Sequence, residues 1–397
     1  MPILSFKRWN CSGLGLLFLL LTMILSAGEA EAVIMLGVDV KVVALYQPTV
    51  RSAFGGREAA DLLPPMQTNL VMRGWWKWGP GFNAFYDQLK ASIAQLKQKM
   101  PNVIYQGGIS ASYIVREDTW ADGSAISHSD FAKMLARDKS GNPIPWGGDG
   151  YLADVASPRY RKYLLGWSQK QIDAGVDSLF LDEVYLAGEM KIAGGADRYL
   201  TYYQYARYVK MLTSSLKSYA ASKGRNLLIT LNCGNAIYFG LRPSVAYRMQ
   251  DYVTVSFNKQ DFVPPFTLRE DWTKINATIR EKMGRSVPIV AFIDWGPDDS
   301  TALKLFSNLT RDDQIALLGQ LDSATRAAGV LFAYPVFIRS PYYDSVREGT
   351  YDTIAALARG ASASAVSTEQ IAAVWSVLGV AVPSLPISSR DLFRPAK

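Results

Sequence analysis

From residue 68 onward, short apolar runs alternate with stretches in which apolar residues recur every three to four positions. The runs Asn69 to Trp75, Asn102 to Ile109, Tyr151 to Val155, Asp177 to Leu181, Asn226 to Leu231, Tyr252 to Phe257, Val287 to Ile293 and Val330 to Tyr334 predict strands. They are apolar throughout, as strands of a parallel sheet covered on both faces are. Between them the helical period predicts helices over Phe82 to Lys99, Ser129 to Arg137, Pro158 to Ala174, Tyr199 to Lys223, Leu268 to Met283, Arg311 to Ala328 and Asp344 to Ala358. Phe85, Leu89, Ile93 and Leu96 form one face of the first. Ser157 and Thr310 stand where N-caps belong, Pro158 in a first turn, and Gly224 and Gly284 just past helix ends. Eight strands, almost all followed by a helix, predict an α/β protein built as a (β/α)8 TIM barrel. A doubly wound open sheet also alternates, but its Gly-rich first turn is absent.

The flanks read differently. Lys7 and Arg8, the uncharged run Leu14 to Leu25 and the small-x-small triplet Ala30-Glu31-Ala32 have the layout of a signal peptide over residues 1–32. The run is short for a bilayer span, which takes about 20 residues, and an uncleaved anchor is the other reading. Both place the body of the protein outside the cytoplasm, with no membrane association after cleavage. Val40 to Tyr46 reads as a strand within an N-terminal extension, residues 33–67, or as a cap on the barrel bottom. The barrel domain then covers 33–360 and a tail, 361–397.

Composition narrows the chemistry. Hydrophobic residues make up 49% and charged residues 19%, enough for a large core. Of two cysteines, Cys11 lies in the signal and Cys233 is left alone, so no internal disulfide is expected. The net charge of +7 is spread without a basic run, and no nucleic-acid motif is present, so no nucleic-acid partner is expected. The single histidine, His128, excludes His-rich zinc sites and leaves a Ser-His-Asp triad one polar loop to occupy. No G-x-S-x-G, P-loop or dinucleotide fingerprint occurs. No cofactor or metal is expected. Carboxylates and aromatics remain, with 10 Trp, 21 Tyr and 16 Phe.

Active sites of such barrels lie where the strands end at their carboxyl side. There the chain offers Arg73, Trp75, Trp76 and Lys77, then Gln106, Asp154, then Asp182, Glu183 and Tyr185, then Asn232 and Asn235, Ser256 and Asn258, Asp294 and Trp295, and Tyr334. Sugars fit that mixture: hydroxyls take carboxylates, amides and Arg, while C–H faces take flat rings. Glycoside cleavage needs two carboxyl groups across one bond, one to protonate the leaving oxygen and one to act as nucleophile or base.

Two stretches carry a resemblance. Asp154-Val155-Ala156-Ser157-Pro158, with Arg159 and Arg161, precedes Gly175-Val176-Asp177-Ser178-Leu179-Phe180-Leu181-Asp182-Glu183. The pair resembles the D-x-x-S-P-x-x-R and G-x-D-G-x-F-L-D strand ends of secreted TIM-barrel glycoside hydrolases similar to endo-α-1,4-polygalactosaminidase. The match covers residues 152–185. It implies a sugar-binding mouth, a catalytic carboxyl on Asp182 or Glu183, and a substrate contact from Asp154. Ser178 stands where that group has Gly, and Glu183 where it has Asn.

The expectation is therefore a secreted or extracytoplasmic glycosidase acting on a polysaccharide, amino-sugar polymers included. Asp182 is its nucleophile or base, Glu183 its proton donor and Asp294 the rival donor. Arg73, Trp75, Trp76, Asp154, Tyr185, Asn232, Asn258, Trp295 and Tyr334 are the expected substrate contacts. A non-catalytic carbohydrate-binding barrel is the alternative. A Schiff-base enzyme would need Lys77 or Lys259, both expected to be exposed. A metal-dependent hydrolase would need Asp154, Asp182 and Asp294 together.

Overall fold

The computed structural model describes residues 42–46, 63, 68–77, 86–146, 148–294 and 302–337. The signal-like segment, the expected helix Asp344 to Ala358 and the tail 361–397 lie outside the described residues. In chain order the elements are β1 (Val42–Tyr46), β2 (Leu70–Lys77), α1 (Tyr86–Lys99), β3 (Ile104–Ser110), β4 (Tyr113–Ile114), α2 (His128–Met134), β5 (Tyr151–Leu152) and α3 (Pro158–Asp173). They continue as β6 (Ser178–Asp182), α4 (Leu186–Ala193), α5 (Arg198–Ser222), β7 (Leu228–Thr230), α6 (Gly234–Tyr238), β8 (Val253–Ser256), α7 (Trp272–Met283), β9 (Ile289–Phe292), α8 (Ala302–Ser307), α9 (Arg311–Ala327) and β10 (Leu331–Phe337).

One eight-stranded sheet, in the order β7-β6-β3-β2-β1-β10-β9-β8, organises the molecule, and each of its pairings is parallel. The sheet curves strongly enough for strands far apart in that order to meet. The Phe180 ring of β6 lies 6.3 Å edge-on from Phe292 of β9. The Thr230 and Thr254 hydroxyls of the end strands β7 and β8 are 3.5 Å apart, and Asp251 N donates to Ile229 O at 2.7 Å.

Two expectations are corrected. Tyr151 to Val155 is not a strand of this sheet, because only Tyr151 and Leu152 pair, antiparallel, with β4. Its place is taken by β1, which is neither extension nor cap: Val42 to Tyr46 pairs with Ala333 to Phe337 on one side and Val42 to Ala44 with Leu70 to Met72 on the other. The strand count survives with one member exchanged.

Most helix ends follow the signals in the sequence. Ser157 caps α3 by accepting from Tyr160 N, Asp271 caps α7, and Thr310 caps α9. Gly284 ends α7 in the left-handed region at φ 66°, where an L side chain is disfavoured. Helix α3 turns Tyr160, Leu164 and Trp167 into the core, each burial worth about 1.5–3 kcal/mol. Helices α4, α6 and α8 are short and had no periodic signal of their own. Among the described residues no helix is long and apolar enough to cross a membrane.

Candidate active site

Strand β2 carries the first unusual feature. Its ladder with β3 shifts register between Val71 and Trp75, and Arg73 sits in the shift at φ 55°. Gly74 follows because the Tyr105 ring lies against it: an added Cβ would come within 2.6 Å of that ring. The bulge turns the Arg73 side chain inward while Trp75 packs on Tyr86 of α1. The guanidinium is buried against the Phe180–Phe292 ring pair, 5.0 and 5.2 Å from the two centroids. From there its Nη2 lies 4.0 Å from Asp182 Oδ2, and its Nη1 lies 3.4 Å from Asp294 Oδ1.

Asp182 is the last residue of β6 and is buried. Asn232 Nδ2, just beyond β7, donates to its Oδ1 at 2.6 Å. Burial pushes the Asp182 carboxyl up to about 7. Arg73 opposes the rise, the Glu183 charge adds to it, Asn232 opposes it and Asp294 adds. Glu183 leaves the strand at φ 53°, so consecutive acids need not face opposite sides of the sheet. Its Oε2 accepts from Ser112 Oγ at 2.7 Å, in the segment following β3. Asn232 is left-handed too, at φ 45°. Of the four non-glycine residues with positive φ among the described residues, Arg73, Glu183 and Asn232 meet here. Such backbone costs of order 1–3 kcal/mol per residue and gathers where geometry is fixed for a purpose.

The structure thus brings together Arg73 from the bulge in β2 and Asp182, Glu183, Asn232 and Asp294 from the ends of β6, β7 and β9. Other expected contacts go elsewhere. Asp154 is tied up by its own chain: Tyr205 Oη donates to Oδ1 at 2.6 Å, Ala156 N to Oδ1 at 2.8 Å and Lys191 Nζ to Oδ2 at 2.8 Å. It anchors α4 and α5 to the turn before α3 rather than facing a ligand. Trp75, Tyr185 and Tyr334 are fully buried and offer no open ring face. Tyr185 lies between Tyr202 and the Arg242 guanidinium, and the Tyr334 hydroxyl is directed to Asp322 and Arg326 of α9. Asn258 caps a short 3-10 turn by accepting from Gln260 N. The Trp76 side chain and Trp295 lie outside the described residues.

Lys77 was expected to be exposed and is buried, its Nζ 2.7 Å from the equally buried Asp118 and over the rings of Tyr163 and Trp167 in α3. It sits between sheet and helix, away from Asp182. Lys259 is exposed. Among the described residues no three His, Cys, Asp or Glu side chains are grouped to hold a metal ion, Asp154, Asp182 and Asp294 included. Sequence reasoning missed Ser112 and the Phe180–Phe292 ring pair. The inward period of β6, which puts Ser178, Phe180 and Asp182 on one face, could have found the second.

No family model and no curated protein matches the chain. Among solved structures it is similar to the glycoside hydrolase domain of PelA from Pseudomonas aeruginosa, with 18% identity over 77% of this chain and 97% of that one, and a TM-score of 0.43. It is similar to Aspergillus fumigatus Ega3 in complex with galactosamine, at 14% identity over 76% and 92% of the two chains, TM-score 0.38. The cyclic α-maltosyl-(1→6)-maltose hydrolase of Arthrobacter globiformis gives 10% identity over 81% and 83%, TM-score 0.46.

Proposed function

We propose that the chain is an exported glycoside hydrolase, a closed (β/α)8 barrel whose mouth cleaves an O-glycosidic bond of an extracellular polysaccharide, amino-sugar polymers among the candidates. The observation that carries this reading is the arrangement around Asp182. Its oxygens face donors, Asn232 Nδ2 at 2.6 Å and Arg73 Nη2 at 4.0 Å, which hold the anion once it forms and oppose the burial that raises the carboxyl. Asp182 is accordingly the nucleophile or base. Glu183 is the second carboxyl, next to Asp182 in the chain and fixed by the Ser112 hydroxyl that donates to its Oε2. It is the donor to the leaving oxygen. Asp294 shares Arg73 with Asp182 through an ion pair at 3.4 Å. Arg73, Asn232 and Asp294 hold the sugar and the charges in place.

In this reaction the proton passes from Glu183 to the glycosidic oxygen as its bond to the anomeric carbon breaks. Asp182 either bonds to that carbon, to be released later by water, or takes a proton from the attacking water. With Asp182 pushed up to about 7, its working anion fills as pH rises, so the rate climbs through that pH.

The test is reducing-end release from a panel of extracellular polysaccharides, including α-1,4-linked galactosamine polymers, measured from pH 5 to 9. Release rising through about pH 7 supports the reading. Binding to a polymer with no release from any would replace it with a non-catalytic carbohydrate-binding barrel.

A further inference from the structure

Beneath the carboxylates lies a buried polar chain that touches none of them. The register shift between β2 and β3 falls between Val71 and Trp75 and so includes Arg73. The side chain of Gln106, fully buried in β3, supplies the acceptor: Arg73 N donates to Gln106 Oε1 at 2.8 Å. Because the N–H can only donate, the Gln106 amide has one orientation and its Nε2 donates to Tyr252 Oη. The Tyr252 hydroxyl and Ser178 Oγ of β6 lie 2.8 Å apart in a hydrogen bond that either can donate. The three side chains form a chain of hydrogen bonds across the sheet interior, from β6 through the start of β8 to β3, ending on a left-handed backbone unit.

We propose that Gln106, with Tyr252 and Ser178 behind it, is a positioning residue that holds Arg73 between the carboxylates of Asp182 and Asp294. Removing Gln106 takes away the side-chain acceptor that this backbone N–H uses inside the sheet. Relaxing the bulge would withdraw the guanidinium from its place against the Phe180 and Phe292 rings. The groups facing Asp182 are Arg73 from β2, Asn232 after β7, Asp294 after β9 and its neighbour Glu183. Arg73 is the one cation among them, so its withdrawal leaves Asp182 easier to protonate. The geometry stands by itself; its bearing on turnover rests on the hydrolase reading above.

The experiment needs no substrate. The Asp182 carboxyl is titrated by 13C NMR in the full chain, with Asp182→Asn to assign the signal, in the parent, in Gln106→Met and in Tyr252→Phe. Gln106→Met keeps length and removes both bonds; Tyr252→Phe keeps the ring and removes one oxygen. The expected result is a rise of the Asp182 midpoint by about one pH unit in Gln106→Met, a tenfold gain in proton affinity, and a smaller rise in Tyr252→Phe. Should Gln106→Met fail to fold, Tyr252→Phe decides. An unchanged or lowered midpoint in a folded Tyr252→Phe overturns the proposal. A raised midpoint in a protein that hydrolyses no polymer leaves the positioning intact and sinks the hydrolase reading alone.

Discussion

Asp177 stands immediately before β6 and Asp182 closes it, so one short strand separates two aspartates with opposite surroundings. Asp177 is satisfied from three directions: Lys97 Nζ at 2.6 Å, Arg225 Nη2 at 2.7 Å and Tyr105 N at 3.1 Å. These tie α1, β3 and the approach to β7 to the start of β6. Asp182 is more deeply buried, has one short bond from Asn232, and faces its cation at 4.0 Å with two other acids nearby. Its neighbour Glu183 is left-handed. The amino end of the strand spends its charge on holding the fold together. The carboxyl end holds charge under tension, as a site built to work on a ligand does.

That contrast gives ways to break it. The largest effect expected is from Asp182→Asn, which should lower reducing-end release at least ~1,000-fold while circular dichroism stays that of the parent. Glu183→Gln should lower kcat about 100-fold or more, since a proton donor is lost but the anion remains. The stability of the parent should also depend on Asp182. The folded chain holds that proton more tightly than the unfolded one. The resulting stabilisation is whole below the ordinary carboxylate range and is lost as pH rises to about 7. Urea unfolding at pH 8 should therefore find Asp182→Asn more stable than the parent, by on the order of 1–3 kcal/mol. At the other end, Asp177→Asn should cost about 1–3 kcal/mol of stability and leave the rate per folded molecule unchanged. The finest test is Asn232→Gly against Asn232→Ala. Both lose the bond to Asp182, but glycine accepts φ 45° freely, so it should be the more stable of the two by about 1 kcal/mol in the same unfolding series.

Much of this difference was legible along the chain. The apolar run Ser178 to Leu181 and the acids that follow it mark where β6 ends, and the cap and glycine signals mark α3, α7 and α9. The choice between Tyr151 to Val155 and Val40 to Tyr46 was not legible, because both are short apolar runs and sheet membership depends on partners distant in sequence. Arg73, Asp182, Glu183, Asn232 and Asp294, which the structure brings together, were singled out because polar residues just after apolar strands carry a positional meaning. Asp154 satisfied the same rule and failed it in space, since Tyr205 and Lys191 come from helices whose docking the sequence does not announce. Trp75, Tyr185 and Tyr334 show the other gap: a strand-end aromatic can turn to the helix layer as readily as to the mouth, and a bulge such as that at Arg73 reverses the alternation. Gln106 looked like a mouth residue, and only the bulge above it shows why it lies beneath.

The central claim is that Asp182 is the working carboxylate while Asp177 is structural. It is tested most directly by one assay run on three proteins side by side: reducing-end release from the most responsive polysaccharide by the parent, Asp182→Asn and Asp177→Asn, normalised to folded protein. The account predicts parent-like release from Asp177→Asn and a loss of at least ~1,000-fold in Asp182→Asn. Undiminished release by Asp182→Asn would contradict it.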